Sequence, residues 1–182
     1  MAPTTTKSSD EVLLGAGTLY VAPIGTTEPA SASATLASSW REVGYTDDGS
    51  AYGFTYTNEG IEVEEEFYPV KYATTKVELS VGFAMKQASR RNLALALNAG
   101  ADAASDGTSF EPPEPGDEVR VMLCYDTEDG ARWIFRKAFQ GGTVDITRKK
   151  APDAALIPVS FRIEKPTSAA PFRVYPTAAG LI

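Results

Sequence analysis

Side chains of opposite character alternate along most of this chain, and a period of two commits it to β-strands that each bury one face. Leu19 and Val21 alternate with Tyr20 and Ala22, which predicts a first strand at about 17–23. Trp40–Tyr45 reads as a second, shorter one. Ile61, Val63 and Phe67 fall on one face of a further strand, with Glu62, Glu64 and Glu66 opposite. Val77, Leu79, Val81 and Phe83 line the next, opposed by Lys76, Glu78 and Ser80, and Pro69 between the two helps the chain reverse. Val119, Val121, Leu123 and Tyr125 share a face, as do Ile157, Val159, Phe161 and Ile163, and Phe172–Tyr175 adds a short final strand. Asp47-Asp48-Gly49 signals a turn, Asp129-Gly130 a hairpin into Arg132–Gln140, and Gly141-Gly142 another into Thr143–Arg148.

One stretch breaks the pattern. Met85–Asn98 is rich in Ala and Leu and holds no internal Pro or Gly, which predicts a helix ended by Gly100. Leu93 and Leu97 form an i,i+4 pair widened by Ala88, Leu95 and Ala99, with Lys86, Arg90 and Arg91 on the wet side. At about 20 Å it is too short to stand alone and must dock on a sheet. Glu28–Ser39 and Ala101–Glu118 lack periodicity and read as surface loops. The Thr/Ser-rich start predicts a flexible arm over residues 1–14, leaving one domain over 15–182. The expected fold is mainly β, two packed antiparallel sheets forming a sandwich or barrel with one flanking α-helix.

Composition removes whole classes of chemistry. There is no histidine, which excludes Ser-His-Asp and Cys-His catalysis, imidazole metal ligands and an imidazole pH switch. Cys124 is the only cysteine, so no intrachain disulfide can form, and it is expected on a semi-buried sheet surface as a small hydrophobe. With 17 Lys plus Arg against 24 Asp plus Glu, the net charge of −7 argues against a surface that grips nucleic acid. No apolar run approaches the length of a membrane span and no leader sequence is visible, so a soluble protein made in a cytoplasm is expected.

The remaining constellations are weak as sites. Glu59, Glu62, Glu64, Glu65 and Glu66 form an acidic run, which on a strand would put repelling carboxylates about 7 Å apart. A charge run is often a solvated face, and i,i+2 side chains diverge too far to ligate calcium. The other reading is a negative surface that repels a polyanion. The cations, Arg132, Arg136, Lys137 and the Arg148-Lys149-Lys150 trio among them, are scattered. Neither Gly15-Ala16-Gly17 nor Gly141-Gly142 has the strand–loop–helix context of a phosphate site. No catalytic, metal or cofactor site is expected.

The order of short motifs is more telling than any one residue. Gly-Ala-Gly-Thr-Leu-Tyr-Val-Ala-Pro (15–23) is followed by Trp-x-x-Val-Gly-Tyr-Thr-x-Asp-Gly (40–49) and Thr-Asn-Glu-Gly-Ile-Glu-Val-Glu-Glu-Glu (57–66). A Pro-Val, a Thr-rich strand and a helix carrying Asn-Leu-Ala-Leu-Ala-Leu-Asn (92–98) complete it. From about 15 to 175 this resembles the major tail tube protein of long-tailed (siphovirus-type) phages of actinobacterial hosts. The resemblance implies a structural virion protein, not an enzyme, located in the virion tail after assembly in the host cytoplasm. It implies hexameric rings in which one sheet of each subunit joins a continuous barrel, stacked into a tube with help from a long loop between early strands. The implied partners are further copies of the chain, the tape measure protein, the tail terminator and distal tail proteins, and genomic DNA passing through without specific binding; no cofactor and no membrane enter. On that footing Glu62, Glu64 and Glu66 are expected to face the lumen. Tyr45, Asp47, Asp48, Tyr52, Phe54 and Tyr56, in an excursion over Tyr45–Asn58, are expected to contact the next ring. A capsid decoration protein or other β-sandwich binding module is the competing class.

Overall fold

The computed structural model of the chain describes residues 17–103, 111–148, 150 and 153–177, so the arm expected over 1–14 lies outside the described residues. Its elements are β1 (Gly17–Pro23), β2 (Arg41–Glu42), β3 (Thr46–Ile61), β4 (Lys71–Met85), α1 (Arg90–Ala96), β5 (Val121–Thr127), β6 (Arg132–Gln140), β7 (Ile157–Ile163) and β8 (Phe172–Tyr175). The strands pair antiparallel in the order β2-β1-β5-β6-β7-β4-β3, with β8 beside β6. Strand β6 is the fold line. Its first half, Arg132–Phe135, lies between β5 and β8, whereas Ala138–Gln140 runs along β7. The chain is mainly β as expected, and its strands form one continuous antiparallel sheet whose path folds at β6 into two layers, β2-β1-β5-β6-β8 and β7-β4-β3.

The core lies between the layers. Leu19, Val21, Val121, Leu123 and Phe135 meet Val81, Phe83, Met85, Val159 and Phe161, all buried. Burial of such side chains stabilises by roughly 1.5–3 kcal/mol each. Tyr52 of β3 crosses the gap, its ring 5.6 Å from Tyr125, 5.5 Å from Trp133 and 5.7 Å from Phe135. Phe83 stacks on Phe161 at 5.8 Å.

The first layer is buried on its other face as well. Ala22, Met122, Cys124 and Ile134 lie under Trp40 and Leu36, so β5 is buried without a break from Val121 to Tyr125. This corrects one expectation: Cys124 is fully buried rather than at a semi-buried surface. The 28–39 loop lies at the surface as expected, with Leu36 turned onto the sheet so that the loop also covers it. Arg132 holds that cover: it pairs bidentately with Asp126 at 2.5 and 2.6 Å and donates to the carbonyls of Ser31 (3.2 Å) and Ala34 (2.7 Å). Arg136 grips Glu28 in the same fork, at 2.5 and 2.9 Å, and Tyr175 Oη donates to the Pro29 carbonyl at 2.8 Å.

The helix is shorter than its sequence suggests, because Met85 completes β4 and Ser89 accepts the Asn92 N–H as N-cap at 3.2 Å. Starting there turns Asn92, Ala94, Leu95 and Ala96 inward and leaves Leu93 and Leu97 half-buried, so the expected Leu93/Leu97 stripe is not the main contact face. The residue in the left-handed conformation just past the helix is Asn98 (φ 57°). Its side chain also substitutes for a strand partner, giving and taking hydrogen bonds with the Gln140 backbone at 2.8 and 2.9 Å.

Three local expectations are overturned. Asp47-Asp48-Gly49 is not a turn but a bulge inside β3, where Asp47 pairs Ala84 and Ser50 pairs Phe83. The positive φ of Gly49 (85°) serves the bulge as it would have served a turn. No strand runs through 62–67: β3 ends at Ile61, and the chain turns back before Lys71, closed by the Val70 N–H on the Ile61 carbonyl at 2.9 Å. Thr143–Arg148 is irregular apart from one bridge, Thr147 to Leu156. Leu95→Ala should lower stability by about 2–5 kcal/mol in denaturant unfolding, and Leu93→Ala by clearly less.

Candidate functional site

Strand β7 pairs with β4 only over Ser80–Met85, while β3 and β4 stay paired out to Ile61 and Lys71. The excess forms a two-stranded arm of roughly 27 Å at 3.4 Å per residue, with a loop at its end. Its register is set by matched pairs: Tyr52 with Val81, Phe54 with Leu79 and Tyr56 with Val77 continue the core face outward. Beyond an irregularity at Thr57/Asn58, Asn58 pairs Thr74, tied by a 2.8 Å side-chain hydrogen bond. At Gly60 a Cβ would meet Pro69 at 2.9 Å, so glycine lets the end of the arm close.

The arm carries a heavy load of exposed apolar groups. Tyr56, Ile61, Val63, Phe67, Tyr68, Val70, Tyr72 and Val77 all stand in solvent, with Phe67 fully exposed and Tyr68 at 82%. A hairpin with neither face covered is marginal on its own, and an apolar surface of this extent marks an interaction site. At its base Phe54 rests edge-on against Phe172 at 5.6 Å, and Tyr52 is fixed in the aromatic cluster of the core.

The second feature is the open face of the β7-β4-β3 layer. Ala51, Thr55, Lys76, Ser160 and Arg162 are exposed there, and Gly53, Glu78, Ser80 and Gly82 are half-buried. The face is smooth because its residues are small, and its two cations share one carboxylate. Glu78 takes Lys76 at 2.7 Å and Arg162 at 3.3 Å, and the Lys76 contact, with help from Arg162, holds its carboxyl below the usual range. The opposite layer offers no such surface, since the 24–40 segment covers it.

The residues singled out from sequence separate into groups. Tyr45 is exposed and Asp47 pairs with Lys86. Asp48 sits in the bulge, and its side chain is outside the described residues. Tyr52 is committed to the core and Phe54 to the arm's base, leaving Tyr56 as the aromatic of that set free along the arm. Glu62, Glu64 and Glu66 are exposed in the end loop, not on a strand, so the alternation that gave them a common face is absent. The tip aromatics Phe67 and Tyr68 and the small residues of the open face were not singled out. The signal for the open face lies in the paired alternations of 50–56 and 77–83, whereas no alternation marks the tip aromatics, which stand in the loop between the strands.

The chemistry elsewhere is structural. Burial, reinforced by Asp126, pushes the Cys124 thiol far up, which withholds a thiolate. Asn92 is buried but satisfied, donating to the Val43 and Gln87 carbonyls at 2.8 and 2.9 Å and accepting from Arg41 at 2.9 Å. Burial, with Arg91 beside it, brings Arg41 down to about 10. Among the described residues no group of acidic or cysteine side chains is placed to hold a metal ion.

The profile of the phage tail tube protein family matches residues 4–175. Among curated proteins, none matches the sequence. Tyr52→Ala should cost about 3 kcal/mol in monomer stability, through the lost ring contacts. Phe67→Ser and Tyr68→Ser should each change it by less than about 0.5 kcal/mol in the same denaturant titration.

Proposed function

Because the chain belongs to the phage tail tube protein family, we propose that it polymerises as stacked rings of six into the tail tube of a long-tailed phage of an actinobacterial host, whose genome leaves through the channel. The observation that carries this reading is the inequality of the two layers: one is buried on both faces, the other on one. A channel wall needs a sheet anchored by an apolar face behind and open to water in front. The β7-β4-β3 layer has that character, so its face of Ala51, Gly53, Thr55, Ser80, Gly82 and Ser160 lines the lumen. Lys76 and Arg162 both engage Glu78, whose single carboxylate offsets one of their two charges and so weakens their hold on a passing phosphate backbone.

The arm is the contact with the adjacent ring, the long loop between early strands that such tubes use. Its exposed aromatics become buried on stacking, and Glu62, Glu64 and Glu66 at its end belong to that contact rather than to the wall. Tyr45 and Tyr56 join it from the arm's flank, whereas Tyr52 and Phe54 support it from within the subunit. The tape measure protein fills the channel during assembly in the host cytoplasm, and terminator and distal tail proteins close the two ends.

Replacing residues 59–73 by an Asn-Gly turn should leave a folded monomer that forms no stacked tubes in negative-stain microscopy. Tubes of normal length from this variant would remove the arm from the stacking contact. In a phage carrying Glu78→Gln, tubes should assemble, and genome ejection should slow at low salt and recover as salt rises. Ejection at the wild-type rate at every ionic strength would show that the pairing of Lys76 and Arg162 does not serve DNA passage.

A further inference from the structure

The segment Thr143–Arg148 has the composition of a strand without being one. Val144 and Ile146 alternate with Thr143, Asp145 and Thr147, yet among the described residues its one strand-like pairing is the Thr147–Leu156 bridge. It continues the line of β6 along β7: Gln140 pairs Phe161, the Gly141 N–H reaches the Ser160 carbonyl at 3.0 Å, and contact resumes at Leu156. Between those points Pro158 has no N–H to give, and six residues span the stretch that four of β7 cover. Val144 packs on the core, but Ile146 is 44% exposed.

At the opposite border of the same layer, β3 is a sixteen-residue edge strand paired, among the described residues, on one side only. No proline blunts it, its own bulge lies at its start, and the irregularity at Thr57/Asn58 places its extra residue, Thr75, on β4 rather than on this edge. On its core side Phe54 and Tyr56 remain exposed.

We infer that Thr143–Arg148 of one copy pairs antiparallel with the free edge of β3 in a second copy, making this the seam within a ring. The inference rests on the ring reading above. Strand directions carry it. The segment runs antiparallel to β7, β7 to β4, and β4 to β3. Direction therefore alternates across four chain segments, and the next copy's segment arrives antiparallel to β3 when subunits follow one another around an axis. With β7 as the border, the same rotation would bring two parallel strands together. Such a head-to-tail contact uses two different edges and closes on itself under rotation. The side chains match: Val144 and Ile146 share the core side with Phe54 and Tyr56, while Asp145 falls on the open side with Thr55 and Thr57.

The test is disulfide capture in assembled tubes. Cys124 is buried, so introduced cysteines report without background. Asp145→Cys is combined in turn with Ala51→Cys, Thr55→Cys, Thr57→Cys and Glu59→Cys, and tubes are oxidised and run on a non-reducing gel. At least one pair should give a ladder of covalent oligomers that no single-cysteine variant gives. Tubes that assemble with every pair and yield no ladder overturn the seam while leaving the tube reading intact; wild-type protein that forms no tubes overturns the tube reading itself. As an independent check, Ile146→Asp should leave monomer melting unchanged and raise the concentration needed for polymerisation at least tenfold. Polymerisation of that variant at the wild-type concentration would overturn the seam.

Discussion

A strand at the border of a sheet presents backbone N–H and C=O groups that must find partners in water or in another chain. Here that condition falls on β3, sixteen residues long and, among the described residues, paired on one side only. Much else in the molecule follows from it. The aromatic cluster around Tyr52 holds the inner end of β3 against the core, and beyond Phe54 the strand leaves the subunit with β4 as its sole companion. An edge so long, on an arm so apolar, is a hazard for a monomer and an asset for a polymer.

The two layers divide the work. The β1-β5-β6 side spends its sequence on rigidity: an unbroken apolar run in β5, a covering segment, and two arginine forks that fasten the cover to the sheet. The Glu28 carboxyl is held below its usual range by its hydrogen bonds from Arg136, against the opposing effect of burial. The fork's contribution is therefore present above the unfolded carboxylate range and is lost as pH falls through the lowered value. The β7-β4-β3 side spends its sequence on a surface, with small residues and two cations sharing one carboxylate in front and aromatic packing behind.

Much of this fold was legible from alternation, because half-buried strands must alternate and most of these do. The inner halves of β4 and β7 follow the pattern residue by residue, and β1 does so over Leu19–Val21, beyond which Ala22 is buried under the covering segment. The failures have physical reasons. In 61–67 a period of two occurs by chance in a loop whose glutamates and apolar groups are all solvated, and sequence carries no mark of that. In 46–56 the Asp-Gly pair advertised a turn and masked the Tyr52-x-Phe54-x-Tyr56 alternation, since a bulge and a turn ask for the same backbone freedom. The Arg132 and Arg136 forks were invisible because their partners, Asp126 apart, lie about a hundred residues away. The general character of the candidate surface was readable from the aromatic and acidic content of 45–72. Which residues support it and which form it depended on register.

The central claim is that the open face of the β7-β4-β3 layer is the inner wall of a tube. A helical reconstruction of assembled particles by electron cryomicroscopy tests it most directly. The account predicts Thr55, Ser80 and Ser160 pointing toward the helical axis, with the 24–40 segment on the particle's outside. A channel lined instead by the 24–40 segment, with the β7-β4-β3 face turned outward, would contradict it.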